Sequence, residues 1–254
     1  MLRNDRLPLL IGAGFVGLAL AAMLLVDLAL GWTLARQPLW YLLFREGGPS
    51  EHLSWLLLGA AALLGAASAG RSSGADARFW AWFAFGALLL LIEDAGNTSH
   101  RFARDLDVFA GQVFGFEVSR DGGRLVVFAI LGAVMLGVLV RFRDQWSRWP
   151  SVRRMLLAGY VLYGVAAGAS VPFNLFGAGY QSVGDTLLAT LFGGQLSRLP
   201  EPIWGATTDN TGYLFMDLVV EESLEVLAAA LLATAAWRGW LQLTAATSAV
   251  QQRE

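Results

Sequence analysis

The sequence predicts an all-α integral membrane protein: one domain over residues 1–254, built as a bundle of about six transmembrane helices with two short interfacial helices on the outer side. Three observations predict it. Of the 254 residues, 56% are hydrophobic and only 15% charged, too little charge to cover a water-exposed surface. Apolar segments of membrane-spanning length recur along the chain. The arginines, finally, gather in alternate connections.

The segments read as Leu7–Leu30, Leu53–Ala69, Phe79–Thr98, Leu125–Val140, Met155–Pro172 and Tyr213–Trp237. The first runs without charge from Leu7 to Val26, enough to cross a ~30 Å core at ~1.5 Å per residue. Arg3 and Arg6 before it resemble the start of a signal peptide. The run is too long for one, and it lacks a small-x-small cleavage site before "GWTLARQPLW". Arg3, Arg6, Arg71, Arg78, Arg141, Arg143, Arg148, Arg153, Arg154, Arg238 and Arg253 fall on one side. Arg36, Arg45, Arg101, Arg104, Arg120, Arg124 and Arg198 are spread over longer segments on the other. This bias predicts cytoplasmic N- and C-termini.

Two outer connections carry helical patterns of their own. Phe102, Leu106, Phe109 and Val113 recur at helical spacing, as do Leu187, Leu188, Leu191 and Phe192. Helices lying on the outer leaflet fit both stretches, and so does sideways packing on the bundle. Gly12-x-Gly14-x-x-Gly17 has the spacing of a dinucleotide-binding turn. It lacks the flanking strands and the polar helix face, so these glycines, like Gly164 and Gly168, are read as helix-packing positions and no nucleotide cofactor is expected.

Exclusions follow from composition. Cysteine is absent, removing disulfides, thiolate metal sites and a cysteine nucleophile. A net charge of -2, with no basic stripe, argues against nucleic acid. The expected partner is membrane lipid, and the oligomeric state is undetermined.

The polar residues inside the apolar segments are the candidate site. Asp217, Glu221 and Glu225 follow at four-residue spacing, so they share one face of the last helix, with Glu222 beside them. A helix entering near Tyr213 places Glu221 ~12 Å and Glu225 ~18 Å deep. An ionised carboxylate there costs several kcal/mol unless compensated. Glu93 and Asp94 reach a similar depth from the third segment. His100 lies seven residues beyond Glu93 and shares its direction if the helix continues that far. Glu46, Glu51 and His52 stand at the outer start of the second segment, and Asp27 ends the first. The fourth and fifth segments hold no charge and read as lipid-facing scaffold. Three readings remain open for this cluster: ion pairing with Arg45, Arg101 and Arg104, protonated carboxylates on a proton or cation path, and a metal site. The metal set is Glu93, Asp94, His100, Glu221 and Glu225, whose oxygen and imidazole ligands suit Mn, Fe or Zn.

These motifs resemble those of a group of uncharacterised bacterial polytopic membrane proteins marked by R-E-D-G-x-x-E, G-E-E-x-S-W-x-Q-R and E-E-x-L-E runs. "REGGPSE" at Arg45–Glu51 differs from the first by one Asp-to-Gly change, and "EESLE" at Glu221–Glu225 matches the third. "EDAGNTSHR" keeps the acid pair Glu93–Asp94 and the closing Arg101. It lacks the Trp, has His100 in place of Gln and is one residue longer. The resemblance implies a shared acidic site, and with the composition it implies a bacterial inner membrane.

The expected function is a metal-dependent enzyme acting on a lipid or amphiphile, with Glu221 and Glu222 as ligands or general base and His100 as ligand or acid. Ser99 and Ser223 are ordinary positions, not nucleophiles. The alternatives are a proton- or cation-coupled transporter, and a non-catalytic subunit or sensor with structural ion pairs. A symmetric carrier fits poorly, because the acids of the third and sixth segments do not correspond under an inverted repeat.

Overall fold

The computed structural model describes residues 5–29, 39–114, 120–170, 173–192 and 211–251. Leu30, Arg36, Pro172, Arg198, Arg3 and Arg253 lie outside them, as do the side chains of Asp27, Arg120, Leu191 and Phe192. Every regular element among the described residues is helical: α1 (Leu7–Met23), α2 (Leu39–Phe44), α3 (Pro49–Gly70), α4 (Gly74–Gly96), α5 (Thr98–Phe114), α6 (Arg120–Arg141), α7 (Arg143–Ser147), α8 (Pro150–Ser170), α9 (Phe173–Phe192), α10 (Thr211–Leu214) and α11 (Glu222–Gln251). Wide π-helical turns extend α1 over Leu24–Ala29 and join α10 to α11 over Phe215–Glu221. Among the described residues, four helical stretches are long and apolar enough to cross a membrane: Leu7–Val26, Leu39–Gly70, Gly74–Gly96 and Gly122–Arg141.

The bundle closes around α11, which packs on α1, α3 and α8, while α3 also packs on α4. The sequence of α11 explains its central place. Ala228, Ala229, Ala230, Ala233, Ala235 and Ala236 are all fully buried. Between apolar helices in lipid, association rests on close van der Waals contact, and small side chains permit it. Gly12 of α1 sits on this surface, where an added Cβ would come 2.6 Å from the Ala230 Cβ. The packing role expected of Gly12 therefore holds. Gly14, Gly17, Gly164 and Gly168 instead face open space. In α8 it is Gly159 that approaches α11, with an added Cβ 2.9 Å from Leu232.

The end of the bundle remote from the acids is tied by aromatic and arginine contacts. Trp80 is fully buried and stacks on Trp149 at 5.5 Å. Arg238 Nη2 pairs with Asp5 at 3.0 Å, Arg148 pairs with Asp76 at 2.8 Å, and Arg71 donates to Thr244 and lies over the Trp240 ring. These contacts gather the starts of α1, α4 and α8 with the ends of α3 and α11.

Helix boundaries differ from the sequence reading where turn chemistry intervenes. The third segment starts at Gly74 and ends at Gly96, because Asn97 adopts the left-handed conformation at φ 47°. Asparagine tolerates that region and commonly ends helices. A new helix, α5, starts at once. Its small residues Ala103 and Ala110 are buried, Ala103 lying directly against Gly123 of α6, while Phe102, Val108, Phe109 and Val113 stay exposed. Thus α5 does pack sideways, but on its alanine side, and leaves its large apolar side open. In α9, Leu188 joins Ala19, Met23, Trp40, Phe44, Phe215 and Val219 in a second core cluster beside the acid-bearing end.

Candidate functional site

A cavity of about 370 Å³ opens among α3, α4, α6 and the α10–α11 segment. The sequence places its acids there in three ways. The π turn and the start of α11 direct Asp217, Glu221, Glu222 and Glu225 into it, so the four-residue ladder survives the wider helical turn. The last turn of α4 supplies Glu93 and Asp94. The loop before α3 supplies Glu46, and the first turn of α3 supplies Glu51. Glu51 is buried and accepts a hydrogen bond from the Gly47 backbone amide, at a helix start that favours an acid.

Hydrogen-bond donors meet most of these carboxylates. Ser50 Oγ donates to Glu222 at 3.1 Å, the Ser99 amide to Glu93 at 3.4 Å and the Tyr213 hydroxyl to Asp217 at 3.4 Å. Asn97 donates its side-chain amide to Glu46. The residue that ends α4 therefore also holds the rim of the cavity. Ser54 and Trp55 of α3 direct their donors toward Asp94, whose Oδ2 is nonetheless buried without a partner at hydrogen-bond distance.

The histidines separate. His100 lines the cavity, carried there by the Asn97 turn and not by a continuation of α4. His52 is exposed, bonds through Nδ1 to the Gly48 carbonyl at 2.7 Å and lies against Trp55, away from the cavity. The arginines expected as partners also stand apart. Arg45 and Arg101 are exposed and do not line the cavity, and Arg104 pairs with its neighbour Asp105 at 3.3 Å. Among the described residues, none of these three forms an ion pair with the acids. Among the described residues the arginine at the wall is Arg124 of α6, whose guanidinium lies 6.0 Å from the Phe128 ring. No group of three or more His, Asp and Glu side chains arranged to hold a metal ion occurs among the described residues.

Below the acids the cavity adjoins a second one of about 270 Å³, apolar and set between α6 and α8. Its walls include Met135 and Leu136 of α6, and Tyr160, Val161 and Gly164 of α8. Leu136 and Val161 are 62% and 63% exposed, so this groove opens sideways through the surface of the bundle. Glu93, Phe128 and Glu225 line both spaces. Tyr163 stands at the same junction. Its hydroxyl is buried beside Ser54 without a partner at hydrogen-bond distance, in the field of Asp94, Glu225 and Glu93.

Sequence reasoning set Arg124 in an outer connection and Gly164 at a helix contact, and gave neither these nor Phe128 and Tyr163 a part in the site, because the apolar segments within α6 and α8 hold no charge. Those segments are nonetheless the walls of the groove. The Tyr160–Tyr163 pair within an otherwise aliphatic helix was the available signal. Compared with protein-family models, curated proteins and solved structures, the chain matches none.

Proposed function

We propose that the protein is a six-span membrane protein whose acidic cavity lies in the outer half of the bilayer, where it receives a lipid or other amphiphile and acts on its polar end. The spans are α1, α3, α4, α6, α8 and α11, with both termini cytoplasmic and α5 and part of α9 lying along the outer interface. A bacterial inner membrane fits the composition. The observation that carries this reading is the junction: a carboxylate-lined space and a laterally open apolar groove share Glu93, Phe128 and Glu225. An amphiphile needs both environments at once, and a small soluble substrate needs no groove. Glu221 and Glu222 are placed for general-base work and His100 for general-acid work on a headgroup held there. A route for ions through the whole bundle is disfavoured, because the half of α11 beyond Glu225 is enclosed by buried alanine and leucine.

The test is mass spectrometry of lipids retained and converted by protein purified in mild detergent, with metal content measured alongside. Wild type is expected to retain or transform an amphiphile that a Glu221→Ala/Glu225→Ala variant does not. Identical lipids on both proteins, unchanged after incubation, would overturn the reading. A divalent metal lost only from the variant would add Lewis-acid chemistry to the same site.

A further inference from the structure

We infer that the amphiphile carries a cationic, amine-type headgroup and enters sideways between α6 and α8, its chain filling the groove lined by Gly132 and Gly164. This rests on the amphiphile reading above and adds its chemistry and its path.

Charge decides the headgroup. The cavity wall bears eight carboxylates, and its described cationic or basic residues are Arg124 and His100. An anionic headgroup brought among those acids meets like charge in a poorly solvated space. A primary ammonium supplies a countercharge and can donate to several carboxylate oxygens at once. Among the described residues no metal-holding group is assembled. The junction adds two buried polar groups with no partner at hydrogen-bond distance, the Tyr163 hydroxyl and Asp94 Oδ2, both approached by the single Ser54 hydroxyl. An ammonium held beside Glu93 and Glu225 can donate to Asp94, and the Tyr163 hydroxyl can then bond to a neighbouring polar substituent of the headgroup.

Steric space decides the path. At both Gly132 and Gly164 an added Cβ meets nothing within 4 Å, although both residues line the groove. Gly159, one turn away in α8, is by contrast pressed against Leu232. Helices α6 and α8 therefore stand apart over the stretch where glycines widen the gap. The gap faces outward through the exposed Leu136 and Val161, which in a bilayer is toward lipid chains.

The experiment uses full-length protein in phosphatidylcholine nanodiscs and two photo-crosslinking probes of equal chain length. One is a long-chain primary amine, the other the corresponding fatty alcohol, each with a diazirine in the chain. Crosslinked peptides are located by mass spectrometry. The amine is expected to label α6 and α8 around Leu136 and Val161 at least about tenfold more than the alcohol. Gly164→Leu should reduce that labelling by about tenfold while leaving the melting temperature unchanged, and Gly132→Leu should do the same as an independent filling. Equal labelling by amine and alcohol, with both lost in Gly164→Leu, would overturn the cationic headgroup and leave the amphiphile reading standing. Amine labelling that neither glycine substitution reduces would overturn the path. Absence of groove labelling by either probe would overturn the inference and the amphiphile reading together.

Discussion

Glu93 of α4 and Glu225 of α11 line both the acid cavity and the apolar groove beside it. They are not neighbours in sequence, and packing of both helices on α3 brings them to one junction. A group bound at that junction should feel both. Glu93→Gln and Glu225→Gln are each expected to weaken binding of a long-chain amine about 10- to 100-fold, the scale of a charge-assisted hydrogen bond. The double variant should lose less than the product of the two, a coupling read by a double-mutant cycle of binding constants. Strict additivity would mean that the two acids contribute to binding independently, without sharing one group.

The two kinds of glycine in α8 should respond oppositely. Gly159→Leu forces a side chain into Leu232 and should lower stability by about 1–3 kcal/mol or more. Gly164→Leu enters open space and should leave thermal unfolding in detergent unchanged. Equal losses at both positions would mean that the groove is closed in the folded protein.

Asn97 serves the backbone and the cavity together, through its left-handed conformation and its bond to Glu46. Asn97→Gly should keep the turn and lose only the side-chain bond. Asn97→Val should cost about 1–2 kcal/mol for the backbone alone and displace His100. Thermal melts of both variants separate the two contributions, and a valine variant as stable as the glycine one would refute the strained turn.

Arg238 is 7% exposed and holds both the Asp5 carboxylate and its carbonyl. Arg238→Met should destabilise the bundle by about 1–3 kcal/mol. Asp5→Asn in that background should add little, because the partner is already gone.

The proposed six-span arrangement is open to direct labelling, since a chain without cysteine gives no background. Cysteine introduced for the exposed Arg45 or Arg101 should react with an impermeant maleimide from the outer side. Cysteine introduced for the exposed Arg71 or Arg148 should react only after permeabilisation. The reverse pattern would invert the orientation.

The acids were legible because local spacing alone sets them. Glu221 and Glu225 share a helix face whatever the helix packs on, and Glu93 and Asp94 end a strongly apolar run. His100 reaches the cavity by a route the sequence reading did not foresee, although Gly96-Asn97-Thr98 holds a helix stop and a cap in three residues. The groove was not legible, because it is a gap between helices. Gly164 looks the same in sequence as Gly159, and only the partner across from each, open space or Leu232, tells them apart. Tyr163 was hidden for a related reason: a hydroxyl among aliphatic residues becomes informative only once Asp94 and Glu225 arrive beside it from other helices.

The depth of Glu225 has an electrical consequence. In the proposed six-span arrangement it would sit near the midplane and be reached from the outer side. A monovalent cation travelling from outside to that carboxylate therefore crosses part of the transmembrane field. A full crossing is worth ~2.3 kcal/mol per 100 mV, so occupancy of a site roughly halfway down should shift by about 1 kcal/mol over the same voltage. An energised membrane, negative inside, would draw an amine inward and hold it at Glu225 more firmly than a depolarised one. The same protein in detergent, where no field exists, would show only the weaker affinity.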